Sequence, residues 1–359
     1  MKRARTAIAE YSRTKAKHDM WISATKTRNW ILHDPILDWL HYHGKTLSTH
    51  DEKYAEELKN SSLQKDESFE QFIMNQGKGF ETSVISAMFQ EYKGNVRDIG
   101  CNKDNCLLNT KYDETMKAMN EGVPIIYSGV VRDQETLTYG IPDMLIRNDY
   151  ICRIVKYPPL NPEQIPTVTT KLLCGHHYFV VDVKFTTLHL CKDGKHMRAE
   201  GSVHAFKSQL YIYNRALGNM QGFTPSTAFI LGRKWHYECA GDNHDGYSCF
   251  DRLGVIDYDG QDKKYVELTN RAIEWIRDVQ TNGGIWSPFD AHEVRRPELY
   301  PNMSNTKDYP WHSIKRMIAE ETKEITMLWN CGVANREIAH REKVYEWTDP
   351  KCTPQLLQC

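Results

Sequence analysis

The sequence predicts an α/β fold, a central mixed β-sheet flanked by helices, with helical extensions at the N- and C-terminal ends. Three observations carry this. A helical stripe over residues 69–92 precedes a cluster of short β-rich runs between 121 and 157; a Val-rich strand at 178–185 precedes an amphipathic stretch at 204–218; and two further β-rich runs follow. Helix, several strands, helix, strand is the order of a layered α/β core. At 359 residues, 40% hydrophobic and 26% charged, the chain can bury one large core with appendages.

Each element has its own signal. In WILHDPILDWLHYHG the apolar positions Trp30, Ile31, Ile36, Leu37, Trp39 and Leu40 predict short helices broken at Asp34-Pro35, and residues 44–68 are polar. Phe80, Val84, Met88 and Tyr92 recur every four residues, with Ile85 and Phe89 beside them, and Glu81 adjoins that stripe. VPIIYSGVV, LTYGIPDMLIR and YICRIVKY read as strands separated by turn residues. HAFKSQLYIYNRALG reads as a helix with Gly218 as its C-cap. STAFILGR and LGVIDY are strands, and VELTNRAIEWIRDVQ is a helix. Residues 284–312 predict a long covering loop and 313–348 two or three short helices. The expected organisation is a basic arm and helical extension (1–68), a core (69–283) with an insertion at about 148–176, and a linker with a helical cap (284–359).

Charge and cysteine usage narrow the class. Residues 1–30 hold eight Lys/Arg against Glu10 and Asp19, although the whole chain nets -1. Such an arm suits phosphates, and a solvated tail has the same composition. Ten cysteines are scattered singly, as expected for reduced thiols in an intracellular, cytoplasmic or nuclear compartment. No apolar run approaches the roughly 18 residues of a membrane span, so no membrane partner is expected.

The chemistry sits in YFVVDVKF, residues Tyr178 to Phe185. Strand side chains alternate, so Asp182 and Lys184 share a face about 7 Å apart, while Val181, Val183 and Phe185 face the other layer. An edge strand meeting water gives the same pattern. In its favour as a site, GIPDMLIR places Asp143 in a turn entering another apolar strand. Two carboxylates from neighbouring strand ends and one ammonium suit a hard divalent cation and phosphodiester hydrolysis.

GxPDxLxR followed by a strand with DxK resembles the PD-(D/E)xK nuclease superfamily, whose fold is the restriction-endonuclease-like core. GKGFETSVI upstream and QLYIY (Gln209 to Tyr213) downstream resemble the first motif and the QxxxY signature of its RecB-like branch, which includes lambda exonuclease. The matches span about residues 75–260. The resemblance implies that Asp143, Asp182 and the Val183 carbonyl bind Mg2+ or Mn2+, that Glu81 completes the acidic set, and that Lys184 positions the attacking water. It further implies DNA as substrate and 5'-phosphate product ends. Gln209 and Tyr213 share a helical face, and with Lys207 and Arg233 are expected to meet the nucleic acid. His204 and Lys234 flank the same face.

Some members of the branch carry an iron-sulfur cluster. Here no cysteine precedes Glu81, and Cys331, Cys352 and Cys359 are spread out, so no cluster is expected. No GxxxxGK[ST] phosphate loop occurs, so no nucleotide cofactor is expected. Cys101, Cys106, Cys174, His176 and His177 fit no common zinc spacing. The segment from Glu324 to Asp349 faintly resembles helix-hairpin-helix elements. The expectation is a metal-dependent exonuclease acting on DNA ends in recombination, repair or genome processing, alone or with protein partners of such a complex. A structure-selective or restriction-type endonuclease, or a catalytically relaxed DNA-binding module, are the alternatives. Oligomeric state stays open.

Overall fold

The computed structural model describes residues 20–63, 69–161, 165 and 170–359; the basic arm of residues 1–19 and part of the insertion lie outside these. In chain order the strands are β1 (Ile22–Ser23), β2 (Val96–Asp98), β3 (Ile125–Tyr127), β4 (Val131–Asp133), β5 (Thr138–Gly140), β6 (Met144–Arg147), β7 (Tyr178–His189), β8 (Thr227–Cys239), β9 (Asp242–Gly246) and β10 (Gly254–Asp257). The longer helices are α1 (Ile36–His43), α2 (Glu52–Leu63), α3 (Phe69–Glu91), α4 (Asn109–Asn120), α5 (Val203–Gln221), α6 (Lys264–Asn282), α7 (His312–Glu321) and α8 (Val333–Arg341). No helix among the described residues is long and apolar enough to cross a membrane.

The described residues divide into two compact units, residues 20–25 with 69–269, and residues 26–63 with 270–359. The first holds an open, mixed, seven-stranded sheet in the order β10-β8-β7-β6-β3-β2, with β9 on β8, and a three-stranded sheet β1-β5-β4. β7 and β8 run parallel. A parallel pair needs a long crossover, and α5 supplies it. α3 lays Val84, Ile85 and Met88 against Phe179, Val181 and Val183 of β7, the apolar face that alternation assigns to odd-numbered residues. α5 packs against β7 of the large sheet and against β4 and β5 of the small one.

Three sequence expectations change. YICRIVKY is not a strand but a run of turns, in which Tyr150 N–H donates to Arg147 O and Arg153 N–H to Tyr150 O (2.8 Å each). Its apolar residues still reach the core, since Ile151, Ile154 and Val155 are buried. α5 does not stop at Gly218; it ends at Gly222, in the left-handed region at φ 76°. Gly218 is small for a different reason, because a Cβ there would lie 2.0 Å from Thr224 Oγ1. α2 and α4 were not anticipated by apolar periodicity.

The second unit is discontinuous in sequence. Trp30 stacks near Trp275 (5.9 Å between centroids) and Trp39 Nε1 donates to Gly283 O (2.8 Å), so the early helices and the end of α6 pack with the segment read as a C-terminal cap. Lys315 is fully buried there, with its ammonium on Asp34 (2.9 Å) and Asp308 (2.6 Å).

Candidate active site

β6 and β7 are antiparallel, pairing Met144 with Val181, Leu145 with Val180 and Ile146 with Phe179. Continued one residue beyond β6, that register sets Asp143 opposite Asp182, and residues directly opposite share a face with Cβ atoms about 5 Å apart. Asp143 is pinned there, since its Oδ2 accepts the Val183 backbone N–H (2.6 Å) and its carbonyl accepts the Ser128 N–H (3.1 Å). Asp182 is 1% exposed, and its Oδ2 meets the Lys184 ammonium in a hydrogen-bonded ion pair.

The electrostatics are unbalanced. Burial, and then the neighbouring Asp182 carboxylate, hold the Asp143 carboxyl well above the usual carboxylate range, with Glu81 adding to the effect and Lys184 opposing it. Burial alone would lower the Lys184 pKa, yet Asp182, Asp143 and Glu81 outweigh it and keep the group above its ordinary value, hence an ammonium at neutral pH. One cation therefore faces three carboxyl groups.

Glu81 approaches from α3, where its Oε1 accepts the Tyr127 hydroxyl (3.0 Å). Burial and then Glu81 push that phenol up to about 12. Tyr127 is the residue the sequence reading missed. Its signal was available, because pairing VPIIY antiparallel with MLIR sets Tyr127 beside Met144, next to Asp143.

Gln209 and Tyr213 come together as expected of an i, i+4 pair, with Gln209 Nε2 donating to Tyr213 Oη (2.7 Å). Tyr213 is 4% exposed, and burial followed by Asp182 and Asp143 raises its phenol far above its ordinary value. Its ring lies on the backbone of Gly140, where a Cβ would fall 1.8 Å from Cε1. The glycine of GIPD is thus the slot that lets the tyrosine reach the acids.

β7 slips by one residue against β8 between Lys184 and Thr187, and Lys184 faces Gly232. A Cβ at Gly232 would meet the Leu188 side chain at 2.6 Å and the Thr186 carbonyl at 2.9 Å. The bulge thus folds β7 over a strand position that must stay bare.

No protein-family model matches the chain, and no curated protein does.

The remaining candidates lie elsewhere. Lys207 points inward, 1% exposed, donating to Asp262 Oδ1 (2.6 Å) and Met197 O (2.8 Å). Arg233 is exposed over the Phe185 ring (4.9 Å), and Lys184 lies over Phe206 (5.4 Å). His204 bonds the Tyr265 hydroxyl (2.5 Å), and Lys234 lies over Tyr247 (5.9 Å). Cys101 and Cys106 pack with Val130, while Cys174 lies near the Met119 carbonyl (3.2 Å).

No set of three His, Cys, Asp or Glu groups among the described residues is arranged to hold a metal ion. The donor set nonetheless suits a hard cation, because two opposed carboxyl groups and a third nearby share a single ammonium around the buried Asp182.

Proposed function

We propose that this chain is a metal-dependent nuclease of the PD-(D/E)xK type that hydrolyses phosphodiester bonds in DNA, working from ends as the RecB-like branch does. The observation that carries the reading is the strand register, which sets Asp143 across from Asp182 with Lys184 next on the same face. Asp143, Asp182, the Val183 carbonyl and Glu81 are the groups that would hold Mg2+ or Mn2+. When bound, the cation supplies Lewis-acid activation and neutralises charge developing on the phosphoryl oxygens. The chain's own residues prepare that step. Val183 N–H and Ser128 N–H fix Asp143 from two sides. Tyr127 orients Glu81, and the Gln209–Tyr213 pair sets a buried phenol near Asp182 and Asp143. Lys184, held protonated by the acids, offers a positive charge to a water or to a phosphate oxygen.

Linear and covalently closed DNA, incubated with Mg2+, Mn2+ or EDTA, test this with the parent, Asp182→Asn and Lys184→Met. Degradation of linear DNA alone, dependent on metal and lost in both variants, is the expected result. Cutting of closed circles would move the activity to the endonuclease class. Binding without cleavage of either substrate in any metal would overturn the nuclease reading in favour of a binding module.

A further inference from the structure

Cys331, Cys352 and Cys359 are scattered in sequence, yet the fold gathers them. Cys331 Sγ lies 3.6 Å from Cys359 Sγ, and Cys352 packs on the same small apolar cluster of Ile325, Cys331, Ala339, Val344 and Leu357. The frame around the first two is held on both sides by one residue, since Asn335 Oδ1 accepts the Gly332 N–H (2.8 Å) and Asn335 Nδ2 donates to Leu357 O (2.8 Å). Cys331 is 4% exposed, whereas Cys359 is open to solvent. Two sulfurs so placed need to close only to about 2.05 Å to bond.

We propose that Cys331 and Cys359 form a dithiol–disulfide pair that exchanges with low-molecular-weight disulfides of the glutathione class. The exposed Cys359 thiolate attacks one sulfur of the small disulfide, breaking its S–S bond, expelling one small thiolate and leaving a mixed disulfide on Cys359. The Cys331 thiolate then attacks Cys359 Sγ, forming the protein disulfide and expelling the second small thiolate. The protons of the two protein thiols end on the two small thiols, so the protein pair is oxidised and the small disulfide reduced. The order of attack follows from access and basicity. Burial, with Cys359 and Cys352 adding to it, pushes the Cys331 thiol up to about 11, which disfavours it as the initiating group; contact with Cys359 Sγ at 3.6 Å gives it the resolving step despite a small thiolate fraction. The bridge would tie the short helix Pro354–Leu357 to the turn before α8, from which Trp329 projects, 88% exposed.

The full chain, reduced and then incubated with glutathione disulfide, is alkylated and digested with trypsin without reductant. Cleavage after Lys323, Arg336 and Lys351 leaves Cys331 on one peptide and Cys352 with Cys359 on another, so the variants assign the bond. The expected result is a cross-linked peptide pair, lighter by about 2 Da than the two free peptides, present in the parent and in Cys352→Ser, absent in Cys359→Ser and split by dithiothreitol. A cross-link that survives Cys359→Ser, a loop between Cys352 and Cys359, or no cross-link in the parent overturns the proposal. Because Cys359 is exposed, its substitution leaves the fold intact and the readout interpretable.

Discussion

The first unit contains two Lys–Asp pairs that look alike in composition and differ in what surrounds them: Lys207 and Asp262 are both buried, whereas Lys184, beside the buried Asp182, stays 21% exposed. Lys207 and Asp262 form a closed account of charge and hydrogen bonds, with the ammonium also on Met197 O and the other carboxylate oxygen accepting Asp257 N–H (3.1 Å). Lys184 and Asp182 sit with two more carboxyl groups, so one ammonium faces three acids. A satisfied pair specifies a fold, whereas an excess of like charge around a buried carboxylate is a strain that structure alone does not reward.

Substitution should separate the two. Asp182→Asn and Lys184→Met are expected to lower cleavage by about 100- to 1000-fold, and Asp182→Asn should leave the melting temperature near that of the parent, because it removes one of three like charges. Lys207→Met should do the reverse, costing about 3–5 kcal/mol in denaturant unfolding by stranding Asp262, with cleavage per folded molecule nearly unchanged. If Lys207→Met instead abolished cleavage in a stably folded protein, the contrast between the pairs would fail.

Buried histidines sharpen the point by supplying ionisable groups with no chemistry to perform. His177 is 1% exposed between Phe179 and Phe223, and burial lowers it from 6.5 to about 4; His340 of the second unit is likewise lowered to about 4. A depressed folded-state value means the stabilisation is complete above 6.5 and is lost as pH falls from there towards 4. His177 should contribute about 2.5 kcal/mol to that loss, read from urea unfolding at pH 7.5 and 4.5. Replacing His177 with Phe should flatten the slope.

The smallest effect is expected at Gly232. Ala there must displace Leu188 and the Thr186 carbonyl, costing about 1–3 kcal/mol and relaxing the bulge beside Lys184. Unchanged stability and cleavage would mean that β7 adapts freely.

Legibility in the sequence followed the range of the forces involved. Asp182 and Lys184 were readable because strand alternation is local, and Asp143 because GIPD marks a strand entrance. Glu81 required the family resemblance, since one acid beside a helical stripe resembles any solvated charge. YICRIVKY misled because its apolar residues serve a core reached through turns, which β-propensity does not distinguish from a strand. Lys207 was read as facing substrate, yet its partner Asp262 is 55 residues away and no local pattern announces it. The same distance effect hid the packing of Trp30 on Trp275 and the convergence of Cys331 with Cys359.

The overlap between the Tyr213 ring and the space above Gly140 couples two segments that otherwise read as separate motifs. A descendant that gains a side chain at 140 has to shrink the aromatic at 213, and with the phenol goes its hydrogen bond from Gln209. The two positions are therefore bound to be inherited together, as one lock shared by a turn and a helix.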